Sequence, residues 1–104
     1  MGAAPCLALV ALAALGLAPS PALADAAAGH AQAVRWCASC HTVDRGGRVV
    51  DAAPSFVALA GDPARTSAHL EVSLTASHPP MPDFQLSRRE IADIVAYLES
   101  LRPR

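Results

Sequence analysis

The sequence predicts an all-α domain of three to four helices, and three observations support that prediction. First, apolar residues recur at three- and four-residue intervals from Ile91 to Leu101, which is the period of one helix face. Second, the Ala-rich stretch from Ala26 to Ser39 contains few residues that break a helix. Third, no segment alternates apolar and polar residues as a half-buried strand does.

Residues 1–24 have the features of a secretory leader that is removed from the folded domain. They contain no Asp, Glu, Lys, Arg or His, and Leu7 to Ala18 is an almost unbroken Ala/Leu run. Ala22-Leu23-Ala24 supplies an Ala-x-Ala cleavage site, although the usual basic residue near the start is missing. The run is shorter than the ~20 apolar residues that span a bilayer, so an uncleaved membrane anchor is the less favoured alternative. Cleavage after Ala24 leaves residues 25–104 as one small domain.

The first half of this domain is predicted to hold one long helix and a turn. The helix runs from Ala26 to Ser39, with Asp25 as its N-cap. Residues 44–48 form a turn, because two adjacent glycines permit a positive φ. Residues 49–54 are predicted to be extended or irregular, since Ala53 precedes a proline.

The second half is predicted to hold two short helices and the long apolar one. Ser55 to Ala60 forms the first and is ended by Gly61, and Thr66 to Ala76 forms the second. The prolines within 78–82 exclude a helix there and are predicted to hold that stretch extended.

The last helix begins at a capping box. Ser87 and Glu90 have the Ser-x-x-Glu spacing, in which each side chain bonds a free backbone N–H of the first turn. Pro103 is predicted to end this helix.

The sequence Cys37-Ala38-Ser39-Cys40-His41 is the attachment signature of a c-type haem. Two thiols three residues apart lie on one helical turn, so each can add to one of the two vinyl groups of the porphyrin. His41 follows Cys37 by four residues and falls on the same face, from which its imidazole can reach the iron. The motif therefore predicts one covalently attached haem c.

Met81 is the strongest candidate for the sixth iron ligand. A thioether is a soft, neutral ligand that favours ferrous iron and raises the reduction potential. Prolines at 79, 80 and 82 restrict the backbone around Met81, which reduces the entropy lost when its sulfur is fixed. Packing alone is the other reading of Met81, and His78 is the rival ligand.

The chain resembles the short class I c-type cytochromes over nearly all of residues 25–104. The residues that carry the resemblance are Cys37-x-x-Cys40-His41, Ala53-Pro54-Ser55-Phe56, His78-Pro79-Pro80-Met81-Pro82 and the run from Ile91 to Leu98. The resemblance implies a cytochrome c fold, with the helices wrapped around one covalent haem and the N- and C-terminal helices crossing at right angles. The loop between them then carries Met81 to the far side of the haem.

Further residues take expected roles from the same resemblance. Gly29 would allow the two helices to approach closely, against Ile94 and Tyr97. Ala33 stands where the family usually has an aromatic residue, and Trp36 is expected to compensate. The carbonyl of Pro54 would accept a hydrogen bond from His41 Nδ1 and orient the imidazole.

The other histidines, two arginines and the cysteine pair each have a further interpretation. His30 and His69 are expected to be solvated helix residues, and His78 a surface or propionate-side residue. Arg45 and Arg48 either reach a haem propionate or occupy a solvated turn. Cys37 and Cys40 could instead form a structural disulfide or a dithiol redox pair, but no βαβ pattern surrounds them. A zinc site lacks further paired ligands.

The sequence thus predicts a monohaem c-type cytochrome that carries single electrons in the periplasm and is not an enzyme. Its expected partners are redox proteins that dock transiently; a small-molecule substrate is not expected, and a membrane is involved only if the leader is retained. The formal charge of -1 and the absence of lysine give no basic face for nucleic acid. Two alternatives stay open: a haem-based sensor of small molecules, and a haem subunit of a larger oxidoreductase.

Overall fold

The computed structural model of the chain describes residues 1–4, 16–17, 23–76 and 78–104. Across these residues the secondary structure consists of α1 (Ala26–Trp36), α2 (Phe56–Gly61), α3 (Ser67–Thr75) and α4 (Arg88–Ser100), without a β-strand. The all-α prediction is therefore confirmed. The leader prediction concerns residues 1–24, most of which fall outside the described residues, so it remains a prediction. No helix in the described part of the chain is long and apolar enough to cross a bilayer.

The helices begin where side chains accept hydrogen bonds from the first free backbone N–H groups. The Asp25 carboxylate accepts from two amides of α1, and Thr66 caps α3 by accepting from His69. Ser87 and Glu90 form both bonds of the capping box that opens α4. The caps predicted at Asp25 and Ser87 are confirmed.

Helix α1 ends earlier than predicted, at Trp36 instead of Ser39. The N–H groups of Cys37 and Ala38 both donate to the carbonyl of Ala33, at 2.8 and 3.1 Å. One acceptor thus serves two successive donors, and the i to i−4 ladder stops there. The cysteines consequently lie in a separate turn that follows the helix.

The stretch at 78–82 is a tight turn, so the prediction that it is extended was wrong. The Met81 N–H donates to the carbonyl of His78 at 3.0 Å, and Pro79 and Pro80 occupy the two central positions. The fixed φ of proline suits the first central position of a turn as well as an extended chain, and the Pro79–Pro80 peptide bond is cis, as in turns with proline at the second central position. Proline content alone therefore excluded the helix but could not choose between these two forms.

The crossing of α1 and α4 is the centre of the fold. A Cβ built on Gly29 would lie 1.9 Å from the backbone oxygen of Asp93 and 2.9 Å from the backbone nitrogen of Ile94. Only glycine permits the two backbones to come this close, and the expected role of Gly29 at a close approach is thereby borne out.

The core is built around the apolar face of α4. Its buried apolar members are Ala33, Cys37, Val43, Phe56, Ala60, Leu70, Ile91, Ile94, Val95, Tyr97, Leu98 and Leu101. The predicted helical stripe from Ile91 to Leu101 is wholly buried. Trp36 only borders this core, and its ring lies 5.6 Å from that of Phe84.

The ring of Tyr97, on α4, packs among other aromatic rings. It lies between His30 and Phe56, at centroid distances of 5.0 and 6.2 Å. The Tyr97 hydroxyl donates to the carbonyl of Val43 at 2.7 Å. Ala33 and Tyr97 are both members of the buried core, and Trp36 packs against that core from its edge.

A polar cluster joins α1, the 43–48 turn and α4. The Asp44 carboxylate lies 2.6 Å from His30 Nε2 and accepts from the Tyr97 hydroxyl at 3.1 Å. Arg45 donates to the carbonyl of Leu101 at 2.8 Å. His30 therefore has a specific partner, while its side chain is 42% exposed, in agreement with its predicted solvated position on the helix.

Arg102 connects the end of α4 to the segment between α2 and α3. Its guanidinium donates to the carbonyls of Ala60 and Arg65, at 2.6 and 2.5 Å, and pairs with Glu99. Glu99 also accepts from the Ser67 hydroxyl at 2.8 Å. These contacts place α2 and α3 against the C-terminal half of α4.

Candidate haem-binding site

The Cys-x-x-Cys-His motif forms a single turn after α1. The carbonyl of Cys37 accepts from the N–H groups of Cys40 and His41, at 3.1 and 2.9 Å. Both cysteines are free thiols, with Cys37 buried and Cys40 exposed. Burial raises the pKa of the Cys37 thiol to about 11. The turn thus carries two unbonded sulfurs and an imidazole on one short piece of backbone.

His41 is oriented by the segment that precedes α2. Its Nδ1 lies 2.6 Å from the carbonyl oxygen of Pro54. Since a carbonyl can only accept, Nδ1 carries the hydrogen and Nε2 keeps a free lone pair. The Phe56 N–H donates to the carbonyl of Thr42 at 2.9 Å, which ties this segment to the residue after His41. The Phe56 ring also meets the imidazole edge-on at 5.5 Å.

Met81 lies in the 78–82 turn, which follows α3. Its side chain is half-buried. His78 lies in the same turn, and its Nδ1 is 3.2 Å from the carbonyl of Ala76. Both candidate sixth ligands, Met81 and His78, therefore lie in one turn.

Two adjoining cavities, of about 450 and 280 Å³, lie between the motif turn and the Met81 turn. The residues that line both are Cys37, His41, Pro54, His78 and Met81. Cys40 lines the larger cavity, which continues past Trp36 and Phe84. The smaller cavity reaches inward to Ile94 and Leu98. All five residues predicted for the site are thus brought together.

The chemistry of these groups fits a haem. Two thiols are available for thioether bonds, and an imidazole nitrogen and a thioether sulfur are neutral groups of the kind that ligate haem iron. The remaining walls are mostly apolar or aromatic, as a porphyrin face requires. Within the described residues, no three His, Cys, Asp or Glu side chains converge as a metal-binding group, so the zinc alternative gains no ligands.

Arg45 and Arg48 are both exposed in the turn after the motif, which is the second of the two positions expected for them. Arg45 donates to the C-cap residue of α4, and neither arginine lines either of these two cavities. Arg65 does line the smaller cavity, although nothing in its local sequence indicated this. It follows α2 in a turn, where its N–H donates to the carbonyl of Asp62. Placing it required the path of that connection, which a single sequence does not give.

Comparison with known proteins identifies the family. The family described as "Cytochrome C oxidase, cbb3-type, subunit III" matches residues 24–98. The chain belongs to this family of c-type cytochromes. Cytochrome c-552 of Bradyrhizobium diazoefficiens is 51% identical to it over 81 residues, which are 77% of this chain and 78% of that relative. No solved structure matches significantly.

The cytochrome is therefore a haem electron carrier and not an enzyme. Its family membership implies one covalently bound haem c and redox partners, and confirms the resemblance noted in the sequence. The dithiol and zinc readings of the cysteines are superseded.

Proposed function

We propose that this cytochrome carries single electrons in the periplasm, with its haem attached through Cys37 and Cys40 and its iron ligated by His41 and Met81. The observation that carries the proposal is the convergence of these residues on two adjoining cavities between the motif turn and the Met81 turn. The bound haem supplies the reversible ferric–ferrous couple. The protein supplies attachment, ligand orientation and exclusion of water.

The motif side of the site is rigidly supported. The turn that carries Cys37 is anchored to α1 through its hydrogen bond to Ala33, and Cys37 itself is buried in the core. Nδ1 of His41 donates to Pro54, which makes Nε2 the ligating nitrogen and fixes the ring plane. Strong attachment here prevents haem loss and keeps the proximal ligand in place in both oxidation states.

The choice of Met81 over His78 rests on chemistry and exposure. Met81 is half-buried, whereas His78 is exposed although it also borders both cavities. A thioether is soft and uncharged, and it leaves a small reorganisation when the iron changes oxidation state. A second imidazole in its place would lower the reduction potential.

Docking of redox partners is proposed at the mouth of the larger cavity, around the exposed Cys40. Exposed residues at this mouth include Ala52, Pro80 and Pro82, so the contact surface is mainly apolar. The chain has no lysine, which argues against a strongly basic docking ring. A small apolar contact suits a complex that must form and separate quickly.

Absorption spectroscopy of the ferric and ferrous protein tests the ligand assignment. Met81→Ala is expected to remove the sulfur-to-iron charge-transfer band and to lower the reduction potential sharply, because the soft ligand is lost. His78→Ala is the matched control and is expected to leave the band and the potential nearly unchanged. The assignment is wrong if His78→Ala removes the native sixth ligand and Met81→Ala does not.

A haem subunit of a larger oxidoreductase is the second candidate, and the description of the matching family favours it. In that role the cytochrome would pass electrons to a catalytic partner within one complex. Size-exclusion chromatography after gentle solubilisation separates the two: a stable co-purifying partner supports the subunit, and a free monomer supports the carrier. Tight CO binding by the reduced wild-type protein would instead support the sensor.

A further inference from the structure

We infer that Asp93 is the docking site for the N-terminal ammonium group that is created when the leader is cut between Ala24 and Asp25. This inference rests on the proposed export and cleavage of the chain. In the uncut chain the backbone N–H of Asp25 already donates to Asp93 Oδ1 at 2.8 Å. The new terminus would therefore form at the position of an existing hydrogen bond, without any movement of α1.

The chemical change at this position is defined. An export-linked endopeptidase adds water across the Ala24–Asp25 peptide bond, so that Ala24 leaves with a carboxylate and Asp25 keeps a protonated amine. A neutral donor 2.8 Å from a carboxylate becomes a charged one at the same place. Charge-assisted hydrogen bonds of this kind are roughly twice as strong as neutral ones.

Asp93 is an unusual residue in α4, and the proposed role explains its position. Asp93 is the only charged residue of the described chain that is buried, with 3% of its surface exposed. It lies on a helix face that is otherwise apolar. Its other partner is Arg89, whose Nε lies 3.2 Å from the same oxygen and whose side chain is half exposed. Solvent therefore weakens the electrostatic attraction between Arg89 and the Asp93 carboxylate. The new ammonium supplies a second, closer positive charge.

The surroundings of the new terminus require a negative charge from outside α1. The N-terminal end of a helix carries a partial positive charge, so an ammonium group there is unfavourable by itself. The first turn of α1 contains no acidic residue. The groups that face the terminus are the capping carboxylate of Asp25, which accepts from two amides of α1, and Asp93 and Arg89 of α4. Asp93 thus offsets a charge that cleavage places at an unfavourable position.

Cleavage would also strengthen the helix crossing. The backbone carbonyl of Asp93 lies against Gly29, while its side chain reaches the residue that caps the same helix. One residue of α4 therefore holds α1 at two points, and the stronger bond forms only after processing. Export and final stabilisation of the fold are linked in this way.

The absence of lysine permits a direct test, because the α-amine becomes the sole aliphatic amine of the mature chain. The holoprotein is produced from the full chain by export and haem attachment, and its mass gives the N-terminal residue. The pH dependence of acylation by an amine-reactive ester then gives the pKa of that amine. The pairing is expected to raise this pKa about one unit above the ordinary 7.7–8.0, so that acylation near pH 7 is about tenfold slower than in Asp93→Asn.

Two comparisons decide the outcome. Asp93→Asn keeps the size and the acceptor oxygen but removes the charge, and a form that retains Ala24 displaces the amine by one residue. Both should acylate about tenfold faster near pH 7 than the wild-type mature chain. The inference is overturned if the mature chain begins elsewhere, or if wild type and Asp93→Asn acylate with the same pH profile. A normal haem spectrum alongside either result would leave the proposed electron-carrier function standing.

Discussion

The two sides of this cytochrome are held together in different ways. On one side, α1 and α4 meet through direct contacts between residues that are far apart in sequence, such as Asp25 with Asp93 and Tyr97 with Val43. On the other side, residues 78–86 make hydrogen bonds only among themselves or to Ala76, as far as the described chain shows. The helix crossing is thus built by the protein alone, while the Met81 side surrounds cavities that the haem is proposed to fill.

The largest effect is expected from removing the haem attachment. Cys37→Ala combined with Cys40→Ala should abolish covalent haem and most of the folding, because the two cavities lose the group that is proposed to fill them. A haem-c assay and far-ultraviolet circular dichroism measure the two losses. Ser39→Ala, between the cysteines, is the matched control and should keep both. A colourless but well-folded double variant would contradict the comparison.

A large loss of stability is expected from Gly29→Ala. The added Cβ would meet backbone atoms of α4, which cannot rotate away as a side chain does. A cost of about 3 kcal/mol in the free energy of unfolding is expected from such overpacking. Gly61→Ala at the end of α2 is the control, since nothing lies within 4 Å of its Cβ. Similar unfolding free energies for the two variants would show that the crossing is not the close contact described.

Tyr97→Phe should cost about 1–3 kcal/mol, because it leaves the buried carbonyl of Val43 without its donor. Urea unfolding near pH 7 measures this loss.

The same variant has a pH signature. Burial, followed by the hydrogen bond and charge of Asp44, raises the pKa of Tyr97 to about 12. A raised pKa means that this contribution is complete below the unfolded value of about 10 and is lost as the pH rises toward 12. The difference between wild type and Tyr97→Phe should therefore shrink above about pH 10. A difference in stability that stays constant with pH would show that ionisation of the Tyr97 hydroxyl does not contribute to it.

The smallest effect is expected from the half-buried ion pair of Glu99 and Arg102 at the C-terminal end of α4. Hydrogen bonds from Arg102 and then Ser67 lower the pKa of Glu99, so the stability that Glu99 contributes is present above its unfolded pKa and is lost as the pH falls through the folded one. Arg102→Gln should destabilise the protein modestly at neutral pH and less in acid. Thermal unfolding of both proteins from about pH 6 to 3 measures this. A difference that grows in acid would contradict the assignment.

Local signals explain why much of the fold was predictable. The capping box at Ser87, the apolar stripe of α4 and the haem motif each depend on residues within four positions of one another. The side chains of Asp93 and Arg102 have partners dozens of residues away, so their roles required the tertiary structure. The turn at 78–82 was missed because proline favours both a turn and an extended chain.

The residues of the candidate site also differ in how far local sequence predicts them. The haem motif identifies its own cysteines and histidine directly. The position of Arg65 at the smaller cavity instead depends on how α2 connects to α3. The contact between Tyr97 and Asp44, and through it His30, likewise joins three separate segments. Single polar residues without periodicity give no signal of such partners.

The meeting of the first and last helices also determines how the chain between them is constrained. Asp25 and Asp93 are 68 residues apart in sequence, so their contact closes almost the whole domain into a ring. Closing a ring of that size costs on the order of 4 kcal/mol of chain entropy. Once the contact between α1 and α4 at Gly29 has formed, the turns that carry His41 and Met81 can adopt far fewer conformations. The helix crossing therefore limits the conformations of the segment that surrounds the porphyrin.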